Sequence, residues 1–194
     1  HLGAFFETAV KAEAKNFGKE GFNASHKLAL DMSRTMPLLP KNLSDKLKGL
    51  GLSGVIKTSH SIEGKLDSAF QPQKVNIKSD INLRSMNIKL ENPEASIQQF
   101  NADVSLPVEY DAAQGIKVPW LMVKTESKGI QALDNWKVEP FNTELKVAME
   151  KFYPLSGNQG ILPVTAQITF QTKAVKSANP PLEIRGLALS TSLK

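Results

Sequence analysis

The chain has 194 residues, 41% hydrophobic and 22% charged, with a formal charge of +5 and a pI near 9.3. That length can bury a real core in one large domain or two small ones, and the longest apolar stretches, such as 118–123, fall far short of a membrane-spanning helix. Cysteine is absent, which excludes disulfide frameworks, thiolate metal sites and cysteine nucleophiles. The positive charge is mostly Lys, with Arg only at Arg34, Arg84 and Arg185, and lysines such as Lys74, Lys78 and Lys89 are spread rather than clustered. Nucleic-acid readers concentrate charge and favour Arg forks, so the pattern reads as a solvated sheet face, and no nucleic-acid partner is expected. The chain opens on His1 with no signal peptide, as expected of a processed protein or a fragment.

From 2 to about 35, Leu2, Phe5, Phe6, Ala9, Val10 and Phe17 recur at helical spacing, and Leu28, Met32 and Met36 continue the stripe. Glu7, Lys11, Lys15 and Lys19 lie opposite. This spacing predicts an amphipathic helix, broken or kinked at Gly18 or Gly21 and ended by Pro37 and Pro40. Asn23 or Ser25 would cap a second segment, and Ser44 a short turn of helix reaching Leu47. Such a helix could pack on a sheet as core, cover a lipid groove, or lie on a membrane.

The glycines Gly49, Gly51 and Gly54 mark a change of period. They punctuate the entry into a strand, not a phosphate loop, because no Gly-Lys-Ser/Thr follows. Alternation with a period of two then predicts strands over 55–59, 61–70, 73–83, 100–110, 116–125, 136–150, 161–175 and 182–193, with turns at 92–94, 111–115, 154–160 and 177–181. Residues 126–135 are less regular. At Arg84-Ser85 the apolar parity flips from Ile81 and Leu83 to Met86, Ile88 and Leu90, so a bulge or tight turn must restore the face. Pro107 and Pro119 suggest edge positions or bulges. The whole is mainly β with an N-terminal amphipathic helix (α+β): residues 1–48 form the helical segment and 49–194 an antiparallel meander, one structural unit. The sheet is either a curved, one-sided apolar groove or a closed β-sandwich or barrel with the helix packed on it.

Chemistry-bearing patterns are few. His1, His26 and His60 fall on a terminus, a helix and a strand, without metal-ligand spacing. No Gly-x-Ser-x-Gly, His-Glu-x-x-His or calcium loop is present, and the pairs Glu91 with Glu94 and Glu109 with Asp111 flank turns. Neither catalytic residues nor a metal or cofactor are expected. Trp120 and Trp136 sit among apolar neighbours and read as core rather than as platforms for lipid or sugar.

The run from Met36-Pro37-Leu38-Leu39-Pro40 through Leu47-Lys48-Gly49-Leu50-Gly51-Leu52-Ser53-Gly54-Val55-Ile56, then Ile62-Glu63-Gly64-Lys65-Leu66, has a recognisable cadence. Ile81-Asn82-Leu83, Leu90-Glu91-Asn92-Pro93 and Asn101-Ala102-Asp103-Val104-Ser105-Leu106 before Tyr110-Asp111 continue it. It resembles the AsmA-like proteins of Gram-negative envelopes, related to the TamB-type bridging proteins, over residues 36–194. The resemblance implies an elongated sheet whose concave apolar face carries the acyl chains of phospholipids or fatty acids while head groups stay in water. Members are longer and carry an N-terminal membrane anchor, which this sequence lacks. Its expected place would be the periplasm, held to the inner or outer membrane through another part of a longer chain, touching a membrane surface or other envelope proteins. The apolar positions expected to hold lipid are Val75, Ile77, Ile81, Leu83, Ile88, Leu90, Phe100, Val104, Leu106, Val147, Ile168 and Phe170. The alternative is a structural or protein-interaction β domain of an envelope assembly with no ligand.

Overall fold

The computed structural model describes residues 6–15, 20–47, 49–91, 93–133, 135–155 and 164–193. Its strands are β1 (Phe6–Lys15), β2 (Gly21–Asp31), β3 (Leu50–Leu66), β4 (Pro72–Glu91), β5 (Glu94–Asp111) and β6 (Gly115–Lys117), followed by β7 (Leu121–Ser127), β8 (Gly129–Ala132), β9 (Trp136–Val138), β10 (Phe141–Met149), β11 (Val164–Ala178) and β12 (Pro181–Leu193). All described strands join one curved antiparallel sheet, and no barrel closes. At ~3.3 Å per residue, the 20 residues of β4 span roughly 65 Å.

The expected N-terminal helix is not formed. Phe6–Lys15 and Gly21–Asp31 are strands that pair with each other, and β2 pairs onward with β3. The same residues also alternate with a period of two: Phe6, Thr8, Val10, Ala12 and Ala14 face one way, Glu7, Lys11, Glu13 and Lys15 the other. Open backbone groups on the edge of β3 give β2 partners that a lone helix would forgo, and tertiary pairing overrides the helical preference of Ala, Lys and Glu. Leu2, Phe5, Phe17, Gly18 and Lys19 lie outside the described residues, as does 156–160 of the expected turn. Helix is confined to the β2–β3 connection: α1 (Met32–Thr35), α2 (Lys41–Ser44) and the 3-10 turns Met36–Leu38 and Asp45–Leu47. Asp31 caps α1, its Oδ1 accepting from the Ser33 N–H at 3.0 Å. The short helical turn expected to reach Leu47 is the 3-10 turn Asp45–Leu47, which follows directly on Ser44.

The two strands expected at 55–59 and 61–70 are one strand, β3, while the single strand expected at 136–150 is divided into β9 and β10. Pro107 lies where the partner of β5 changes from β7, paired up to Ser105, to β6, paired from Glu109, so its missing N–H interrupts no ladder on that side. Asp111 turns the chain between β5 and β6; its Oδ1 accepts from the Ala113 N–H at 2.9 Å, and that bond chiefly holds its carboxyl below the usual range.

A seam crosses the middle of the sheet. Gly54 (φ +118°) marks it in β3 and Ser85 (φ +52°) in β4, where the pairing slips between Leu83 and Met86. In β5 it falls at Gln99 (φ +45°), between β7 and β8 at Lys128, between β9 and β10 at Glu139-Pro140, and in β11 and β12 at Lys173 and Gly186 (φ +63°). The parity flip expected at Arg84-Ser85 is therefore a bulge, repeated within β5, β11 and β12 and at the β7–β8 and β9–β10 junctions. Apolar positions pass from Phe100 to Ile97, Ser127 to Ile130, Phe141 to Val138, Thr172 to Val175 and Leu187 to Ile184, one extra residue each time. Because six neighbours carry the same insertion, the face is preserved from one side of the seam to the other. Side-chain groups occupy backbone partners left open there. Asn101 Oδ1 accepts from the Ser85 N–H (2.6 Å), Asn87 Oδ1 from the Gln99 N–H (3.0 Å), while buried Ser127 and Thr172 donate to the carbonyls of Gln98 (2.8 Å) and Glu139 (3.1 Å).

The seam divides the sheet into two panels. The larger contains β1, β2, β10 and β7 whole, with 55–66 of β3, 72–84 of β4, 100–111 of β5, 164–172 of β11 and 187–193 of β12. The smaller contains β8 and β9 with the remaining parts of β3, β4, β5, β11 and β12.

Candidate functional site

Directly opposed residues of antiparallel strands project from the same side, so register assigns every paired side chain to a face. In the larger panel one face runs through Leu28, Thr58, Ile81, Val104, Val123, Leu145, Ile168 and Thr191, each paired with the next. In the smaller panel it runs through Leu52, Ile88, Ile97, Ile130, Val138, Val175 and Ile184. Among the described residues, no Asp, Glu, Lys or Arg occupies a paired position on this face in either panel.

All twelve positions expected to hold lipid lie on that one face: Val75, Ile77, Ile81, Leu83, Phe100, Val104, Leu106, Val147, Ile168 and Phe170 in the larger panel, Ile88 and Leu90 in the smaller. Val75 is buried, Ile77, Leu90 and Ile168 are exposed, and the rest are half-buried. Phe170 meets Phe141 with ring centroids 5.9 Å apart. The face has no second layer over it among the described residues; the two helices, four residues each, are too short to roof it. No large side chain is fully buried, and the accessible surface is 13262 Å². A compact protein of this mass exposes about 9,100 Å², so the excess is the signature of a single layer. Trp120 and Trp136, expected in a core, are 39% and 43% exposed. Trp136 stands on the apolar face opposite Ala132 and Ser177, and Trp120 borders a hollow of about 530 Å³ at the end of β7, β10, β11 and β12.

The opposite face is charged and internally paired. A hollow of about 550 Å³ there is lined by Arg84, Asn101, Asp103, Lys124, Glu126 and Glu144 among others. Arg84 bonds Asp103, Asn82 Nδ2 donates to Asp103 at 2.7 Å, and Glu144 takes Lys146 at 2.9 Å and Lys124 at 3.8 Å. The Lys146 hydrogen bond holds the Glu144 carboxyl below the ordinary range. In the smaller panel Glu139 lies 3.0 Å from Lys176 and 3.6 Å from Lys137, and Glu183 bridges Lys176 and Arg185. Hydrogen bonds from Lys176 to Glu139 and from Arg185 to Glu183 lower both carboxyls. These carboxylates are held ionised by cations, the opposite of what a general acid needs at neutral pH.

One feature of the apolar face escapes any reading that places His26 on a helix. His26 of β2 and His60 of β3 are directly opposed, their rings parallel within 5° and their centroids 6.1 Å apart. His26 Nε2 is 3.1 Å from the Thr8 hydroxyl and His60 Nδ1 is 3.1 Å from the Ser79 hydroxyl. Both histidines are half-buried, and the other titratable groups on the face among the described residues are Tyr110 and Tyr153, the latter opposed to Ile116. The signal in sequence was the shared parity of Phe22, Ala24, His26, Leu28 and Leu30. Comparison with protein-family models, curated proteins and solved structures found no significant match.

Proposed function

We propose that the protein is a non-enzymatic lipid-binding or lipid-transfer module that holds acyl chains of phospholipids or fatty acids on its apolar face. The observation that carries this reading is an uncharged face, continuous across both panels, with no layer of the described residues over it. Each CH₂ removed from water is favourable by about 0.8 kcal/mol, so an acyl chain laid along the strands supplies the missing cover. Without a deep pocket, a chain would be held by area rather than by individual contacts, which suits passage along the sheet more than tight storage. Head groups would stay in contact with water. The AsmA-like cadence supports the same reading and, with it, a periplasmic place beside a membrane. The test is solvent extraction of purified protein followed by mass spectrometry, together with uptake of a fluorescent phospholipid. Co-purifying lipid and saturable uptake are expected; clean extracts and no uptake would remove the reading.

The ligand-free alternative, a protein-interaction domain, draws on the outer edge of β12. From Leu187 to Leu193 that edge carries neither charge nor proline, the devices that usually blunt a free strand. The same extraction separates the two, since an interaction domain would leave both arms empty.

A further inference from the structure

We infer that the stacked His26 and His60 form a seat for the anionic head of a single-chain amphiphile, with a fatty-acid carboxylate the fitting class. This rests on the lipid-holding reading and names which lipid the face prefers. A polar row within an apolar face is costly unless its groups are satisfied. Here Val10, His26, His60, Ser79 and Leu106 stand opposite one another across five strands, and the hydroxyls of Thr8 and Ser79 each engage one ring nitrogen. Among the described residues, each imidazole then keeps its other ring nitrogen, His26 Nδ1 and His60 Nε2, for a further partner. Because a hydroxyl both donates and accepts, Thr8 and Ser79 can serve either the neutral or the protonated ring.

The neighbours of the pair define what the seat takes. On the same face β1 offers Thr8 and Val10, β2 Ala24 and Leu28, β3 Thr58 and Ile62, and β4 Ile77, Ser79 and Ile81, none of them charged. Two protonated rings stacked in such surroundings would repel each other with no counter-ion from the protein. An ionised carboxylate laid over them supplies that counter-ion and accepts from the free N–H groups, and charge-assisted bonds of this kind are about twice as strong as neutral ones. The alkyl chain then has uncharged surface on both sides of the row, past Leu28, Thr58 and Ile81 in one direction and Ile62 and Ile77 in the other. A protonated ring donates from both nitrogens and a neutral ring from one, so an ionised carboxylate is gripped more strongly by the protonated form.

The experiment compares laurate with 1-dodecanol, equal in chain length and uncharged, by displacement of an apolar dye from the full chain at pH values about one unit either side of the free imidazole midpoint near 6.5. At the lower pH the acid should bind roughly tenfold better than the alcohol. That preference should shrink at the higher pH and vanish in the double variant His26→Gln/His60→Gln, where acid and alcohol should bind alike. In the wild type, laurate should also move the NMR ring signals of His26 and His60, whatever the variant's stability. Equal binding of acid and alcohol, a preference that survives the double variant, or ring signals indifferent to laurate would each overturn the seat while leaving the lipid reading standing. Binding of neither amphiphile would overturn both.

Discussion

The two panels are continuous through β3, β4, β5, β11 and β12, yet they divide their polar groups differently. The smaller panel has an apolar face of aliphatic residues with Trp136 and Ser177, and it collects Lys137, Glu139, Lys176, Glu183 and Arg185 into one ion-pair network on the other side. The larger panel has mostly separate ion pairs on its polar face and places a hydrogen-bonded histidine row in the middle of its apolar one. Alternation decides which face a residue joins, whereas register decides which exceptions become neighbours. A charge network and a histidine seat are two products of the same rule.

The strongest way to break the comparison is at the seam that lets both panels share one face. A Cβ on Gly54 would lie 2.6 Å from Met86 Sδ, 2.7 Å from Met86 Cα and 2.9 Å from the Arg84 carbonyl oxygen, at a φ of +118°. Met86 is buried at 3% exposure, so it has no free volume to move into. Gly54→Val should cost about 3 kcal/mol, read as a lower urea midpoint. A milder break is Thr172→Val, which keeps shape but removes the hydroxyl that bonds the Glu139 carbonyl between β9 and β10. A loss of about 1–2 kcal/mol is expected from the unsatisfied carbonyl, with amide exchange quickening in β9 before β2.

The smallest effect is set by pH. Glu139 and Glu183 have carboxyls lowered by their cations, so their contribution is complete above the unfolded carboxylate range and is lost as pH falls through the folded, lower values. Acid should therefore weaken these sites, together with those of Asp111 and Glu144 in the larger panel, before the uncharged parts of the sheet. Salt should blunt the difference, because these pairs are at the surface. Hydrogen exchange at neutral and acid pH, with Glu139→Gln as the control that removes part of the acid response, checks the order of loss.

Much of this architecture was legible in sequence. The parity flip at Arg84-Ser85 announced a bulge because apolar residues flank it closely on both sides. The same flip at Thr172 to Val175 or Phe141 to Val138 was hidden by Lys173-Ala174 and Glu139-Pro140, which resemble the ends of strands. The N-terminal segment misleads for a different reason. In Phe6–Lys15 the residues between the apolar ones are Ala, Lys and Glu, good helix formers, and only the edge presented by β2 decides the outcome. The positions on the apolar face follow from alternation alone and required no knowledge of partners. The histidine pair did not, since bringing residues 26 and 60 together needs the β2–β3 register, which no local pattern encodes.

A sheet without a second layer has a thermodynamic character of its own. Among the described residues, each strand packs chiefly against its neighbours along the sheet, and no shared interior ties β1 to β12. Stability in such a ribbon is close to a sum of strand-to-strand couplings, as in solenoid repeats. Loss begins at the two ends and moves inward rather than striking everywhere at once. The breadth of the face is then a matter of counting: a hairpin added at an edge widens it by two strands and leaves the rest in place.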